Sequence, residues 1–185
     1  MRWHSAKLIK PVAAGVFTVL LAVALPISVL SASFDELTLT LTTDTPERLP
    51  FEPIEVTITL SNQTDHEVYG HTMLYAGYEY LRFMVSMERE DFKQFNSANV
   101  FHKSIEKPEP SLFKPGKSIQ VMEKLSYGWT DNDEKEGIYL FEKPGVYSIK
   151  VVLDNLDRKN KIESNILKIT VKDAKGVDAE ALKLV

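Results

Sequence analysis

The feature that most restricts this chain is a two-residue alternation running through Ile138–Val171. Tyr147, Ile149, Val151 and Leu153 fall at every second position, as do Leu167, Ile169 and Val171. A period of two sends each set to one face of a sheet, so the stretch reads as two long antiparallel strands joined by a charged loop. Pro144-Gly145 turns the chain into the first of them, and Tyr147 follows almost at once. A tyrosine there suits a corner in which the phenol oxygen bonds backbone on the preceding loop and the ring fills the core edge.

Earlier segments repeat the pattern. Leu37–Thr43 alternates Leu with Thr, a β-branched residue that tolerates solvent. Ile54–Leu60 turns Ile54, Val56, Ile58 and Leu60 inward, Leu81–Met87 does the same with Leu81, Phe83, Val85 and Met87, and Ser118–Leu125 with Ile119, Val121 and Leu125. The intervening segments read as connections: Asp44–Pro53 with its three prolines, the turn formers Ser61–Asp65, irregular His66–Tyr80, long Glu88–Ser111, and Tyr127–Gly137, which places Trp129 in a loop. About seven short strands separated by turns predict an all-β antiparallel sandwich over residues 34–172. The tail, residues 173–185, reads as helical from Asp178, with Ala179, Leu182 and Val185 about one turn apart, and is too short to stand alone.

Residues 1–33 have a different character. Arg2, Lys7 and Lys10 precede the uncharged apolar run Val12–Leu30, the order of an export signal. Ser31, Ala32 and Ser33 provide small residues for a cut after Ala32 or Ser33, whereas the length of the run also suits an uncleaved membrane anchor. Either reading puts the sandwich outside the cytoplasm, periplasmic or secreted in the first case and membrane-anchored in the second. Beyond Ser33, nineteen basic and twenty-six acidic residues leave a net charge of −7. That balance, without a basic cluster, argues against nucleic acid as a partner. The chain has no cysteine, so its core must hold without disulfides, and lipid attachment through cysteine is excluded.

The order of these features resembles an exported bacterial immunoglobulin-like domain. The resemblance is carried by Val56–Asp65, the Leu-x-Phe-x-Val strand at Leu81–Val85, the Lys-Pro-Gly turn at Lys114–Gly116, the Phe-x-x-Pro-Gly-x-Tyr block at Phe141–Tyr147, and Glu163-Ser-Asn165 opening the last strand. The same scheme is similar to an intracellular proteinase-inhibitor sandwich. The resemblance implies a fold, and folds of this kind host many unrelated tasks.

Several groups of residues could carry chemistry. Tyr69, His71, Tyr75, Tyr78 and Tyr80 share one irregular segment, either as a contact surface or as rings packed over the sandwich edge. Asp131-Asn-Asp-Glu134 has oxygen ligands but lacks the glycine and terminal glutamate of a helix-loop-helix calcium loop. His66, His71 and His102 match no zinc spacing. Asn62-Gln63-Thr64 fits a glycosylation acceptor and equally a turn. Neither a nucleophile elbow nor a phosphate-cradling glycine loop occurs, so the expectation is a protein without catalytic residues, cofactor or metal. The leading reading is an extracytoplasmic interaction module holding a protein or a cell-surface polymer. The alternative is a protease inhibitor presenting a loop, such as Glu88–Pro110, to a peptidase. A partner is expected on His66–Tyr80 or on Glu88–Ser111 with Phe92, Phe95 and Phe101, leaving the Thr face of Leu37–Thr43 free.

Overall fold

The computed structural model describes residues 33–75, 80–88, 90–98, 109–130 and 137–181. After a 3-10 turn at Phe34–Glu36 the strands are β1 (Leu37–Thr42), β2 (Glu47–Arg48), β3 (Ile54–Asn62), β4 (Val68–Gly70), β5 (Leu81–Met87), β6 (Lys93–Ser97) and β7 (Ser111–Phe113). They continue with β8 (Ser118–Leu125), β9 (Tyr127–Thr130), β10 (Ile138–Tyr139), β11 (Gly145–Asp154), β12 (Lys161–Glu163) and β13 (Leu167–Val171), and α1 (Val177–Ala181) follows. The domain is an all-β sandwich. One layer has the order β1-β3-β8, the other β10-β9-β6-β5-β11-β13-β2, with β12 also on β11, and β4 pairs with β7 apart from both. Among the described residues no helix is long and apolar enough to cross a membrane; Val12–Leu30 lies outside them.

Alternation in sequence becomes alternation in burial. Ile54, Val56, Ile58 and Leu60 on β3 are fully buried beside Leu37, Leu39 and Leu41 of β1. Tyr147, Ile149, Val151 and Leu153 of β11 close the same core from the other layer, with Phe83 of β5 and Ile169 of β13. Each such aliphatic side chain contributes about 1.5–3 kcal/mol on leaving water. Tyr147 is 5% exposed. Its hydroxyl donates to the Lys143 carbonyl at 2.9 Å and accepts from the Lys143 N–H at 3.3 Å, while its ring meets Phe141 edge-to-face at 5.3 Å. The expected corner is present.

The central hairpin is interrupted on its second side. β13 pairs with Gly145–Ile149 and β12 with Val152–Asp154, so Ser164–Ile166 face only Lys150 and Val151, a bulge of one extra residue. The Ser164 hydroxyl accepts the Val151 N–H at 2.9 Å. Asn165 is turned toward the other layer, where Oδ1 accepts the Leu41 N–H at 2.8 Å and Nδ2 donates to the Leu41 carbonyl at 3.0 Å. One amide thus pairs the outward backbone groups of Leu41 on the edge strand β1 as a neighbouring strand would.

Four expectations are corrected here. Asp44–Pro53 is not all loop: Glu47–Arg48 forms a two-residue edge strand, parallel to β13, where prolines are tolerated. Glu88–Ser111 contains β6, and Phe95 is a core residue, 2% exposed, opposite Phe83. Tyr127–Thr130 is a strand, so Trp129 is not in a loop. The described helix is Val177–Ala181, five residues with no buried side chain, beginning one residue before Asp178.

Candidate functional site

The sequence-predicted residues separate. His71 is fully buried: its Nε2–H donates to the Asp154 carbonyl at 2.8 Å, and Nδ1 accepts the Met73 N–H at 3.3 Å. It stacks on Phe34 at 5.8 Å and meets Tyr80 edge-on at 5.5 Å, so these rings are packing. Burial lowers the His71 pKa, only partly offset by the bond to Asp154. His66 stands at the surface, with Nδ1 3.1 Å from Asp65 and Nε2 2.7 Å from Glu36. Its hydrogen bond to Asp65, then that to Glu36, raise its pKa. The two histidines are not brought together, and among the described residues no group of three His, Asp or Glu is placed to hold a metal ion. Tyr69 (62%) and Tyr75 (54%) are exposed. Phe92 carries the Lys150 ammonium 4.9 Å over its ring. Asp131–Glu134, Tyr78, Phe101 and His102 lie outside the described residues.

Asn62 is committed internally. Its Nδ2 donates to the carbonyls of His66 and Phe113, both at 2.7 Å, and its Oδ1 accepts from Thr64. A residue 1% exposed with its amide bonded in this way is a turn post and not a glycan acceptor.

A different set of residues converges at one end of the larger sheet. On β6, β9 and β10 the inner positions are Phe95, Ser97, Gly128 and Ile138, which leaves Gln94, Asn96, Tyr127, Trp129 and Tyr139 on the outer face. Register places Tyr139 opposite Tyr127, and Trp129 opposite Asn96. Tyr127 and Tyr139 are 39% and 43% exposed, with ring centroids 5.1 Å apart; Phe51 extends the row, 5.2 Å from Tyr139. The Gln94 amide donates to Asn96 Oδ1 at 3.0 Å.

Local sequence explains how these side chains are held. Gly128 is the inner residue between Tyr127 and Trp129. A Cβ there would collide with the Asn96 carbonyl and lie 2.8 Å from the Phe95 ring. Only glycine lets β9 lie this close to β6. Gly137 serves Tyr127 similarly, since a Cβ would overlap the phenol oxygen. Phe51 sits at φ 65°, an unfavourable region for a bulky residue, with its N–H fixed on the Phe141 carbonyl at 2.8 Å. Such a conformation costs about 1–3 kcal/mol and persists only where its surroundings impose it.

Sequence reasoning missed this face because Gly128 interrupts the apolar alternation that marks a strand. The signal that would have found it is the spacing of Tyr127 and Trp129, two large aromatics with one residue between them.

No family model matches the chain, and no curated protein matches it in sequence. Among solved structures, a β-glucosidase from Listeria innocua in complex with isofagomine is similar at TM-score 0.37 and 13% identity, covering 77% of this chain and 17% of the enzyme. The sporulation control protein Spo0M from Bacillus subtilis gives 0.41 and 11%, over 80% of this chain and 54% of that one. A CARDB domain from Pyrococcus furiosus, in complex with di-metal ions, gives 0.36 and 12%, over 77% and 93%. The chain therefore spans about a sixth of the β-glucosidase and about half of Spo0M, and likenesses of this size carry no functional inference.

Proposed function

We propose that the chain is an exported, immunoglobulin-like interaction module without catalytic activity, which holds a protein or a cell-surface polymer against the outer face of β6, β9 and β10. The observation that carries this reading is the placement of Tyr127, Trp129 and Tyr139 on the outer face of a sheet whose inner face is core. Aromatic side chains on a rigid scaffold supply contact area at low entropic cost and dominate binding energetics. Gln94 and Asn96 belong to Glu88–Ser111, one of the two segments expected to meet a partner. Export is supported by Arg2, Lys7 and Lys10 ahead of the uncharged Val12–Leu30. The corner at Tyr147 supports the immunoglobulin-like assignment.

Hydrogen exchange on the full chain, with and without a partner captured from the extracytoplasmic fraction, tests the reading. Slowed exchange in Lys93–Ser97, Tyr127–Thr130 and Ile138–Tyr139 is expected. Slowing confined to the Thr face of Leu37–Thr42 would refute it.

A further inference from the structure

We propose that this face, where Tyr127, Trp129 and Tyr139 lie beside Gln94 and Asn96, binds an uncharged polysaccharide chain. The inference rests on the interaction-module reading above and names its ligand.

The chemistry of the face selects the ligand. Phe51, Tyr139 and Tyr127 meet edge-to-face in a row, with centroids 5.2 and 5.1 Å apart and ring planes at 84° and 60°, and Trp129 follows Tyr127 on the same strand face. The exposed sides of Tyr127 and Tyr139 offer aromatic surface to the C–H groups of a sugar, whose apolar side is otherwise hard to recognise. Beside the rings, the bond from Gln94 Nε2 to Asn96 Oδ1 fixes both amides. Among the described residues the Gln94 carbonyl and the Asn96 amino group have no partner, an acceptor next to a donor, as a pair of neighbouring hydroxyls requires.

Charge narrows the class. None of these six side chains is charged at neutral pH, and the chain beyond Ser33 carries −7. A polyanion meets the net negative charge and finds no cation among the six, and a polycation finds no carboxylate among them. Size argues against a globular protein. A stable protein contact takes about 20–30 residues per partner, far more than this strip offers, whereas a chain one sugar wide is covered by a row of rings. The row is also preorganised: Gly137 accommodates the Tyr127 phenol, and the Phe51 backbone is fixed on Phe141.

The test is native affinity electrophoresis of the full chain in gels containing hydroxyethyl cellulose, laminarin, galactomannan or dextran, with polygalacturonate as the anionic comparison. Retardation is expected in at least one neutral gel and not in polygalacturonate. Trp129→Ala and Tyr139→Ala are each expected to weaken that retardation about tenfold, with Tyr69→Ala unchanged. Tyr139 is 43% exposed, so its variant carries the test if Trp129→Ala fails to fold. No retardation in any neutral gel overturns the inference, as does stronger retardation in polygalacturonate or full retardation of a folded Tyr139→Ala. A protein partner that slows exchange in β6, β9 and β10 overturns this inference and leaves the module reading standing. Protection confined to the Thr face overturns the module reading itself.

Discussion

Replacing Tyr147 by phenylalanine removes one oxygen from the corner and leaves the ring where it is. The ring is 5% exposed and packed on Phe141, so phenylalanine fills the same volume and loses no apolar burial. What disappears is the bond to the Lys143 carbonyl at 2.9 Å and the longer approach of the Lys143 N–H at 3.3 Å. The second lies at the limit of useful geometry and adds little. Lys143 is an exposed residue, so water can reach its freed backbone groups, and the loss belongs at the lower end of the range for a buried hydrogen bond, about 1–1.5 kcal/mol. Urea unfolding should show a lower midpoint at unchanged slope. Tyr69→Phe, which alters a tyrosine standing in solvent, should stay within about 0.5 kcal/mol of the parent. Burial, and to a lesser degree Glu142, raises the Tyr147 pKa, while the bond to Lys143 works the other way. A folded pKa above the unfolded value, about 10, means the contribution is complete below that pH and is lost as pH rises through the folded pKa. The parent should therefore lose stability more steeply above about pH 10 than Tyr147→Phe does. Equal losses for Tyr147→Phe and Tyr69→Phe would refute the corner.

Two further outcomes follow from groups on either side of the core. His71 is held neutral by burial, so its folded pKa lies below the unfolded value near 6.5 and the unfolded chain binds the proton more tightly. Stability should fall as pH drops below about 6.5, and urea midpoints of His71→Gln should show a shallower acid dependence. Asn165→Ala leaves both backbone groups of buried Leu41 without their partner, at about 1–3 kcal/mol. Urea midpoints should show that loss, with faster exchange of the Leu41 amide and little change in β5.

Much of the fold was legible because a half-buried strand writes its burial into every second residue. Ile54–Leu60 and Tyr147–Leu153 have their alternate residues buried as the pattern requires. The signal fails where a strand is short or its inner residue has no side chain. Lys93–Ser97 offers one large apolar residue, Phe95, for its inner face, and Tyr127–Thr130 spends its inner position on Gly128. The candidate face was illegible for the same reason. Its rings are thirty and more residues from Gln94 and Asn96, or lie on Phe51 far upstream, and only strand order brings them together. His71 was misleading in the other direction. Its segment is irregular, yet its two nitrogens find backbone partners in the interior.

The amide of Asn165 has a consequence for the order of assembly. It locks a strand that is made early to a bulge that is made late, across 124 residues of chain. Closing a loop of that length is slow relative to hairpin formation, and its entropic cost rises only as the logarithm of the length. During synthesis β1 can pair with β3 as soon as both exist, but its outer edge stays open at Leu41 until Asn165 has been added. Until then the nascent chain has a sheet edge able to pair with other chains. The step that pairs Leu41 is thus also the step that reduces this hazard.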